Sequence, residues 1–535
     1  MHAVCTLLLA GLVGAAPFSI GIELPTHVPY SAALESALRD IGIDYVNYYV
    51  KPWTATPEER AIEVNAATLD FAERLGVDYS LACYLVDPPE ACVAAAVERS
   101  ATAASRDQKG RFQGVVFDEL AHARLLHQEM HEGGDKLADP TTFTSLADAY
   151  EQTLAGFTAL REKHDALGAA SVATHVFPAL LHVAARAGFT PCPKVQKELF
   201  SPVSLAIGLG AALQYDRDLW VDVDLWFWDL VPGHTPEEVE SNLKLAYWLG
   251  ADRVYLEGCG HNLTEAGNQG APFSIVNVIN DTRYQLTAHG EMLKRFCREY
   301  LPAHPRPWTF RDIRPEVAII RFPDGDWGQR YAHWFPNRLY GSDNLPTTAD
   351  TRAWFGLWNI LTHGKTGRDG FTYFKVWCAT YGFGPAFTDQ IAYSLHTRPF
   401  QAELHPFFAP LKGVVVFDHL VTYDRLKGIP LLCVTGDSLS PETFEAVVRC
   451  AREGATVLIW GPLAERCGLE WNGELQPFPE GEGKIVRVDD FGGFGTYGYL
   501  QPHLGRPDEI SYRFGDQEVV LRKVTDNVVN VDLPE

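Results

Sequence analysis

Residues 219–258 have the sequence LWVDVDLWFWDLVPGHTPEEVESNLKLAYWLGADRVYLEG. Two short runs rich in branched and aromatic residues, 219–226 and 253–258, flank a stretch whose apolar residues have helical spacing. Thr235-Pro236-Glu237-Glu238 combines the capping residue, proline and acidic residues that are typical of a helix N-terminus. The segment therefore predicts a strand, a helix and a second strand, the repeating unit of a parallel α/β fold.

The same alternation extends back to the start of the chain. Strands are predicted at Phe18–Leu24, Asp44–Val50, Asp78–Leu85, Gly114–Glu119, Ser171–Phe177, Lys194–Phe200, Leu219–Trp226 and Arg253–Gly258. Eight strand–helix units in about 250 residues match the size of a (β/α)8 TIM barrel, and an open doubly wound sheet is the alternative. No GxGxxG or Walker motif follows any predicted strand, so the sequence offers no support for nucleotide binding.

A proline-rich break at residues 303–307 ends this first region. A second α/β pattern follows, with strands predicted at 316–322, 413–418, 429–435 and 456–461 and helices at 349–362 and 440–453. From about residue 470 only short β patterns remain, the first of them Lys484–Val488. We therefore expect a barrel domain over residues 1–305, an α/β domain over 314–470 and a small β domain over 471–535.

Charge and composition exclude several classes of partner. The 535 residues include 45 Lys and Arg against 68 Asp and Glu, a formal charge of −23. Binding to nucleic acid or to an anionic membrane surface needs the opposite charge, so neither is expected. No uncharged apolar run of about 20 residues is present after the N-terminus, and no transmembrane helix is predicted.

The N-terminus and the cysteines bear on compartment and cofactors. Residues 3–16 resemble the apolar region of a signal peptide (residues 1–16), although no Lys or Arg precedes them. An apolar first turn packed under the barrel is the alternative, so secretion or periplasmic export and a cytoplasmic location both stay open. The ten cysteines form no CxxC pair and no Cys/His cluster with zinc spacing, so no metal or other cofactor is expected.

Acidic residues recur where the predicted barrel strands end. Active sites of TIM barrels lie at the C-terminal ends of the strands, and that end would gather Glu23, Asp118, Glu119, Glu198, Asp222, Asp224 and Glu257. Unpaired carboxylates inside a barrel repel one another and resist desolvation, so such a collection indicates function. With the neighbouring polar and aromatic side chains, the residues expected to bind substrate are Glu23, Asn47, Asp118, His175, Asp222, Asp224 and Trp226.

Several carboxylates with aromatic neighbours suit glycoside hydrolysis. One carboxyl group protonates the leaving oxygen, and a second attacks the anomeric carbon or activates water. Glu119 is the leading acid/base candidate because it ends the apolar run Gly114–Phe117 and should point out of the barrel end. A salt bridge to Arg124 or to another loop cation is the structural alternative for Glu119.

The second carboxylate is less clearly marked. Glu257 is favoured because it ends the apolar run Val254–Leu256, and Glu198, on the predicted sixth strand, is the next candidate. A retaining pair of carboxyl groups lies about 5–5.5 Å apart and an inverting pair about 6.5–9.5 Å apart. Retention is the expected outcome, but the sequence alone leaves the separation open.

The chain resembles the barrel glycoside hydrolases, and most of all the architecture of the family 42 β-galactosidases. The resemblance rests on two stretches, residues 219–257 and residues 431–461, the latter with LLCVTGDSLSPETFE followed by AREGATVLIWG. It implies a catalytic TIM barrel, then a flavodoxin-like (glutamine-amidotransferase-like) domain used in oligomerisation, then a small β domain. A carbohydrate substrate, an oligo- or polysaccharide, and a homo-oligomer follow as expectations.

Two positions depart from the pattern of that family. Its enzymes have Asn before the acid of strand four, where this chain has Asp118, and a nucleophile on strand seven, where this chain has Asp222 and Asp224. If the strand count predicted here is one too high, Glu257 would lie on strand seven, and the match to the nucleophile position of that family would improve. Two alternatives stay open: a barrel that binds sugar without cleaving it, and a metal-dependent lyase or isomerase.

Overall fold

The computed structural model describes most of the chain. The described residues are 16–24, 30–51, 56–84, 86–106, 110–121, 124–125, 136–175, 180–196, 200–225, 234–259, 274–323, 339–342, 344–345, 350–366, 407–469, 476–477 and 483–533. The signal-peptide-like segment lies almost wholly outside them. Among these residues, no helix combines the length and apolar character needed to cross a membrane.

Eight parallel strands close into a barrel. They are β1 (Ser19–Leu24), β2 (Tyr45–Tyr49), β3 (Asp78–Cys83), β4 (Phe112–Phe117), β5 (Ser171–His175), β6 (Thr190–Val195), β7 (Trp220–Asp224) and β8 (Arg253–Glu257). Each strand pairs with the next, and β1 pairs with β8. The predicted eight-stranded barrel is confirmed and the open sheet is wrong. The strand count is also correct, so Glu257 lies on strand eight.

The sixth strand begins four residues earlier than its sequence predicts. Pro191 and Pro193 conceal it, because proline lacks the N–H that a strand interior normally donates. Both prolines nevertheless pair in register with β5, opposite Ala173 and His175. As a result β6 ends at Val195, and Lys194 lies inside the barrel.

Helices connect the strands and cover the barrel. They are α1 (Ala32–Ile41), α2 (Glu58–Leu75), α3 (Glu90–Ser105), α4 (Leu146–Asp165), α5 (Leu181–Ala187), α6 (Ser201–Tyr215) and α7 (Pro236–Trp248), followed by a β9–β10 hairpin (Val276–Asn280, Arg283–Leu286), α8 (Ala288–Arg295) and α9 (Leu301–Ala303). The predicted start of α7 is confirmed, since the Thr235 side chain accepts a hydrogen bond from the N–H of Glu238.

A second sheet follows the barrel. Its strands are β11 (Val317–Arg321), β13 (Val414–Asp418), β14 (Leu431–Thr435), β15 (Thr456–Trp460), β16 (Gln476–Pro477) and β17 (Lys484–Val488), in the order 13-11-14-15-17-16. The strands are parallel except β16. Lys484–Val488 was expected in the third region. It lies instead in this sheet, because Ile485 and Val486 are buried there and the strand pairs with β15 along its length.

A four-stranded sheet ends the chain. It consists of β12 (Leu411–Lys412), β18 (Glu509–Phe514), β19 (Gln517–Thr525) and β20 (Val528–Asp532) in that spatial order. The remaining helices are α10 (Asp350–Leu361), α11 (Tyr423–Leu426), α12 (Pro441–Arg452), α13 (Gly461–Arg466) and α14 (Phe494–Leu500). Because β12 comes from far upstream, the small β unit expected at the C-terminus also contains a strand from the middle of the chain.

Helix α6 joins the barrel to the second sheet. Its residues from Ser201 to Leu213 are all buried, as expected for a helix that is apolar on every side. Gly210 approaches β13 so closely that a Cβ there would lie 1.5 Å from the carbonyl oxygen of Val416. The side chains of Gln214 and Tyr215 donate hydrogen bonds to the Asp418 carboxylate. The helix behind β6 is therefore held rigidly, and with it the strand that ends beside the acidic residues.

Candidate active site

Acidic side chains cluster at the carboxyl end of the barrel. Glu23 is the penultimate residue of β1, Asp118 and Glu119 directly follow β4, and Asp222, Asp224 and Glu257 lie on β7 and β8. Carboxyl ends of parallel strands meet at one end of a barrel, so these six residues, the acidic cluster, come together in space as the sequence predicts. Asp222 and Asp224 are two residues apart and therefore share one face of β7.

Lys194 lies at the centre of the acidic cluster. Its Nζ is 2.7 Å from Asp118 Oδ1 and 2.7 Å from Glu257 Oε2. It is also 3.6, 3.7 and 3.8 Å from carboxylate oxygens of Asp224, Glu119 and Asp222. Burial disfavours an ammonium, but the surrounding carboxylates raise the pKa of Lys194 well above its ordinary value, so it stays charged.

Asp118 is held in place by side chains from three other strands of the barrel. Its carboxylate accepts hydrogen bonds from Tyr49 Oη on β2 and Thr174 Oγ1 on β5, both at 3.0 Å, and contacts Lys194 on β6. Burial raises the pKa of Asp118, and Lys194 opposes that rise. Because these partners of the Asp118 carboxylate are all protein side chains, Asp118 fits a structural role better than direct contact with substrate.

Glu119 stands in a different environment from Asp118. Its backbone has φ +42°, in the left-handed region that side-chain-bearing residues rarely adopt, which turns its side chain out of the strand direction. Its side chain is 16% exposed, whereas those of Asp222 and Asp224 are fully buried. Arg124, the salt-bridge partner in the structural alternative for Glu119, pairs with Asp87 at 2.6 Å, and Lys194 Nζ lies 3.7 Å from Glu119 Oε1. Glu119 is thus within reach of solvent at the end of the barrel.

Strands β7 and β8 supply the other side of the acidic cluster. Asp222 Oδ2 accepts a hydrogen bond from Tyr255 Oη at 2.9 Å, and burial raises the pKa of Asp222 to about 7. Burial and the neighbouring carboxylates also raise the pKa of Glu257 well above its ordinary value. The Glu257 side chain is 14% exposed, so Glu257 and Glu119 are the two members of the cluster in contact with Lys194 that also reach furthest toward solvent.

Glu23 and the polar residues expected to bind substrate are buried. Glu23 accepts a hydrogen bond from the N–H of Gly258 at 2.5 Å, and burial raises the pKa of its carboxyl group to about 8. Asn47 Oδ1 accepts a hydrogen bond from Ser80 Oγ at 2.7 Å, and His175 ends β5 with its side chain buried. Their burial and hydrogen bonds to the protein suit Glu23 and Asn47 to a supporting role within this end of the barrel better than to direct contact with a large substrate.

Two predicted site residues lie outside the described part of the chain. Glu198 was expected on the sixth strand, which is wrong because β6 ends at Val195. Trp226 was expected on the seventh strand, which ends at Asp224.

The separation of Glu119 and Glu257 has an upper limit. Glu119 Oε1 and Glu257 Oε2 lie 3.7 and 2.7 Å from the same nitrogen, so they are no farther apart than the sum of those distances, 6.4 Å. Inverting pairs have carboxyl groups about 6.5–9.5 Å apart and retaining pairs about 5–5.5 Å apart. The limit, which applies to one oxygen of each group, is compatible with a retaining pair.

The cluster also contains a potential set of metal ligands. Carboxylate oxygens of Asp118, Asp222 and Glu257 all lie within 4.8 Å of one another. Oxygen ligands of this kind suit Mg²⁺ or Mn²⁺. However, the ammonium of Lys194 lies within 4 Å of all three residues, and a second cation among the same oxygens would be repelled by it. The residues therefore fit a metal poorly while Lys194 is charged.

Two contributors to the site were not identified as such from the sequence. Lys194 is the first residue of the sixth strand as predicted from the sequence, which places that strand four residues too late, and Tyr49 has no assigned role there. A lone lysine within the otherwise uncharged run Thr190–Val195 was the available signal, because a charged residue in a buried strand needs a partner.

Comparison with known proteins gives only remote similarities. No family model matches the chain, and no curated protein matches it. Similar solved structures include an exo-β-1,4-mannosidase, Op5Man5, from Opitutaceae bacterium strain TAV5, at 11% identity over 84% of this chain and 78% of that chain, with a TM-score of 0.43. An endo-β-1,4-glucanase from Xanthomonas axonopodis pv. citri is 11% identical over 52% of this chain and 99% of its own, with a TM-score of 0.30. D-Psicose 3-epimerase from Clostridium cellulolyticum H10 is 13% identical over 53% and 97%, with a TM-score of 0.26. Hydrolases and an epimerase stand side by side among them, and scores this low do not decide the reaction.

Proposed function

We propose that this protein is a glycoside hydrolase that cleaves O-glycosidic bonds in an oligo- or polysaccharide with retention of configuration. The observation that supports it most is the pair Glu119 and Glu257. Both reach Lys194 at the solvent-facing end of a barrel, with carboxylate oxygens no more than 6.4 Å apart. A sugar ring bound over this end would meet one carboxyl group on each side of its anomeric carbon.

Glu119 is proposed as the general acid/base and Glu257 as the nucleophile. In the first step protonated Glu119 gives its proton to the glycosidic oxygen while the Glu257 carboxylate attacks the anomeric carbon. The glycosidic C–O bond breaks, the leaving group departs as an alcohol, and a glycosyl ester forms on Glu257. Glu119, now ionised, removes a proton from water, which hydrolyses the ester and restores both groups.

The difference in distance to Lys194 supports this division of roles. Glu257 lies 2.7 Å from the ammonium and Glu119 lies 3.7 Å from it. A nearby positive charge favours the ionised form of a carboxyl group, and the effect is stronger at the shorter distance. Contact with Lys194 therefore supports Glu257 as the anion, although burial and the neighbouring carboxylates act in the opposite direction and raise the pKa of Glu257.

We also propose that the second region is flavodoxin-like and that the whole chain shares the architecture of family 42. Numbering only the five parallel strands of the second sheet along the chain gives the order 2-1-3-4-5, as in flavodoxin-like folds. The proposed domains are residues 1–305, a second domain from 314 that extends through β17, and a C-terminal β domain. Homo-oligomer formation remains a prediction, and β-galactosidase activity is not part of the proposal.

The deciding experiment is a hydrolysis assay with matched variants. Purified protein is incubated with a panel of aryl glycosides and polysaccharides, and released reducing sugar is measured for wild type, Glu119→Gln, Glu257→Gln and Glu73→Gln. Glu73 lies on α2, and its pairing with Arg99 is at the surface, so that variant controls for charge loss. Both cluster variants should lose activity and the control should keep it. Sugar binding without release of any product would support a carbohydrate-binding barrel instead.

The metal-dependent alternative has one observation in its favour, the close approach of Asp118, Asp222 and Glu257. A lyase or isomerase that used a metal at this position would lose activity with a chelator and regain it with Mn²⁺. The hydrolase proposed here should be insensitive to chelation.

A further inference from the structure

Lys194 has the surroundings of a bound metal ion. Its side chain is 1% exposed, and its Nζ has carboxylate oxygens from five residues on three strands within 4 Å. An ammonium offers three donors, so five acceptors exceed what hydrogen bonding requires. The arrangement is that of a cation enclosed by anions.

Without that positive charge the same carboxylates could not remain as they are. Asp222 and Asp224 are fully buried, and an uncompensated carboxylate in such a place either takes up a proton or acquires another cation. Oxygens of Asp118, Asp222 and Glu257 are already close enough together to ligate one.

We infer that Lys194 is the built-in cation of this site, occupying the place that a divalent metal would otherwise take, and that it is a positioning residue for Asp118 and Glu257. Two cations cannot share these oxygens without strong repulsion at separations of a few ångströms. Lys194 therefore excludes metal from the cluster. It also fixes the Glu257 carboxylate through a contact of 2.7 Å with one of its oxygens.

The activity measurement that tests this inference rests on the proposed function, whereas the metal-binding measurement does not.

The metal-binding experiment compares three proteins. Wild type, Lys194→Met and Lys194→Arg are titrated with MnCl₂, and free Mn²⁺ is followed by electron paramagnetic resonance. Methionine has nearly the length of lysine but lacks the charge, and arginine keeps the charge. Asp222→Asn combined with Lys194→Met removes one of the three oxygen ligands.

Wild type and Lys194→Arg should bind no Mn²⁺ in the barrel. Lys194→Met should bind one Mn²⁺ ion, and the added Asp222→Asn should abolish or strongly weaken that binding. The kcat of Lys194→Met should fall at least about 100-fold with any glycoside that wild type cleaves, with partial recovery in Lys194→Arg.

Two results would overturn the inference. One is a wild-type protein that binds one Mn²⁺ in a manner abolished by Asp222→Asn, because the cluster would then be a metal site in the native protein. The other is a Lys194→Met variant with native circular dichroism and a cooperative melt that neither binds Mn²⁺ nor loses kcat.

If Lys194→Met does not fold, the inference can still be tested with the other two proteins. The wild-type and Lys194→Arg titrations then settle it, since Mn²⁺ bound in the barrel of either contradicts the inference and exclusion from both supports it. If wild type hydrolyses no glycoside at all, the proposed function fails, while the Mn²⁺ titrations still test the role of Lys194.

Discussion

The two ends of the barrel interior differ sharply although the same strands form both. Inside the barrel, two residues before the side chains at its carboxyl end, lies an apolar layer that we call the floor. It consists of Tyr45, Ala82, Val116, Val172, Cys192, Trp220 and Tyr255. Two residues farther along the same strands stand Asn47, Tyr84, Asp118, Thr174, Lys194, Asp222 and Glu257. On β1 the corresponding pair is Gly21, where a Cβ would lie 2.1 Å from the Tyr45 ring, and Glu23.

Side chains two residues apart in a strand point to the same side. In each of these strands, one side chain therefore fills the barrel and the side chain two residues later lines its carboxyl end. The lower layer excludes water, and the upper layer holds charge above that dry floor. We therefore expect substitutions in the floor to affect chiefly the free energy of unfolding and substitutions in the acidic cluster to affect chiefly activity.

The largest expected effect is on activity. Glu119→Gln removes the proton that the proposed acid supplies but keeps the shape of the side chain, so kcat should fall about 10²–10⁴-fold. Its thermal unfolding should match that of wild type, because Glu119 is the most exposed of the carboxylates that contact Lys194. Hydrolysis rates and a melting curve on the same sample check both halves. Full activity in this variant would remove Glu119 from the mechanism.

The floor should show the opposite behaviour. Trp220 is buried and meets the Tyr45 ring edge-on at a centroid distance of 5.7 Å. Trp220→Ala should lower the free energy of unfolding by about 3–5 kcal/mol because it leaves a large cavity. Urea denaturation measures the loss, and Phe494→Ala, at a side chain that is 95% exposed, is the control expected to change little. A small effect at Trp220 would mean that the floor does not support the barrel.

Stability should depend on pH through the buried carboxyl groups. Burial raises the pKa of Glu23 to about 8 in the folded protein, from an unfolded value near 4.5. Between these values the folded state holds a proton that the unfolded state has lost, so stability falls as pH rises through that window. The loss between pH 5 and pH 8 should be on the order of 3 kcal/mol and should shrink in Glu23→Gln. Denaturation curves at both pH values measure it, and an equal loss in both proteins would assign it to other groups.

The smallest effect is expected from the support of Asp118. Tyr49→Phe removes one hydrogen bond to the Asp118 carboxylate and leaves the ring in place. The resulting change in kcat/KM should be about tenfold or less, equivalent to roughly 1 kcal/mol. A comparison of kcat and KM with wild type tests it. A loss as large as that of Glu119→Gln would mean that Asp118 takes part in the reaction directly.

Much of the barrel was predictable because its signals are local. Seven of the eight strands lie where short apolar runs and capped helices indicate, and the exception, β6, contains Pro191 and Pro193. That single shift had consequences for the site. It directed attention to Glu198, beyond the described end of β6, and left Lys194 without a role. The sequence also could not predict which sheet contains Lys484–Val488, because strand pairing between segments that are distant in sequence leaves no local pattern.

By itself the sequence determined a parallel α/β fold with carboxylates at the ends of its strands, because apolar periodicity and strand polarity are properties of neighbouring residues. Only the tertiary structure decided which carboxylates share a cation. Closure of the barrel brings Lys194 from β6 among oxygens of β4, β7 and β8. Ion pairing acts over a few ångströms in space regardless of separation along the chain, and that is why the centre of the site emerges only from the closed barrel.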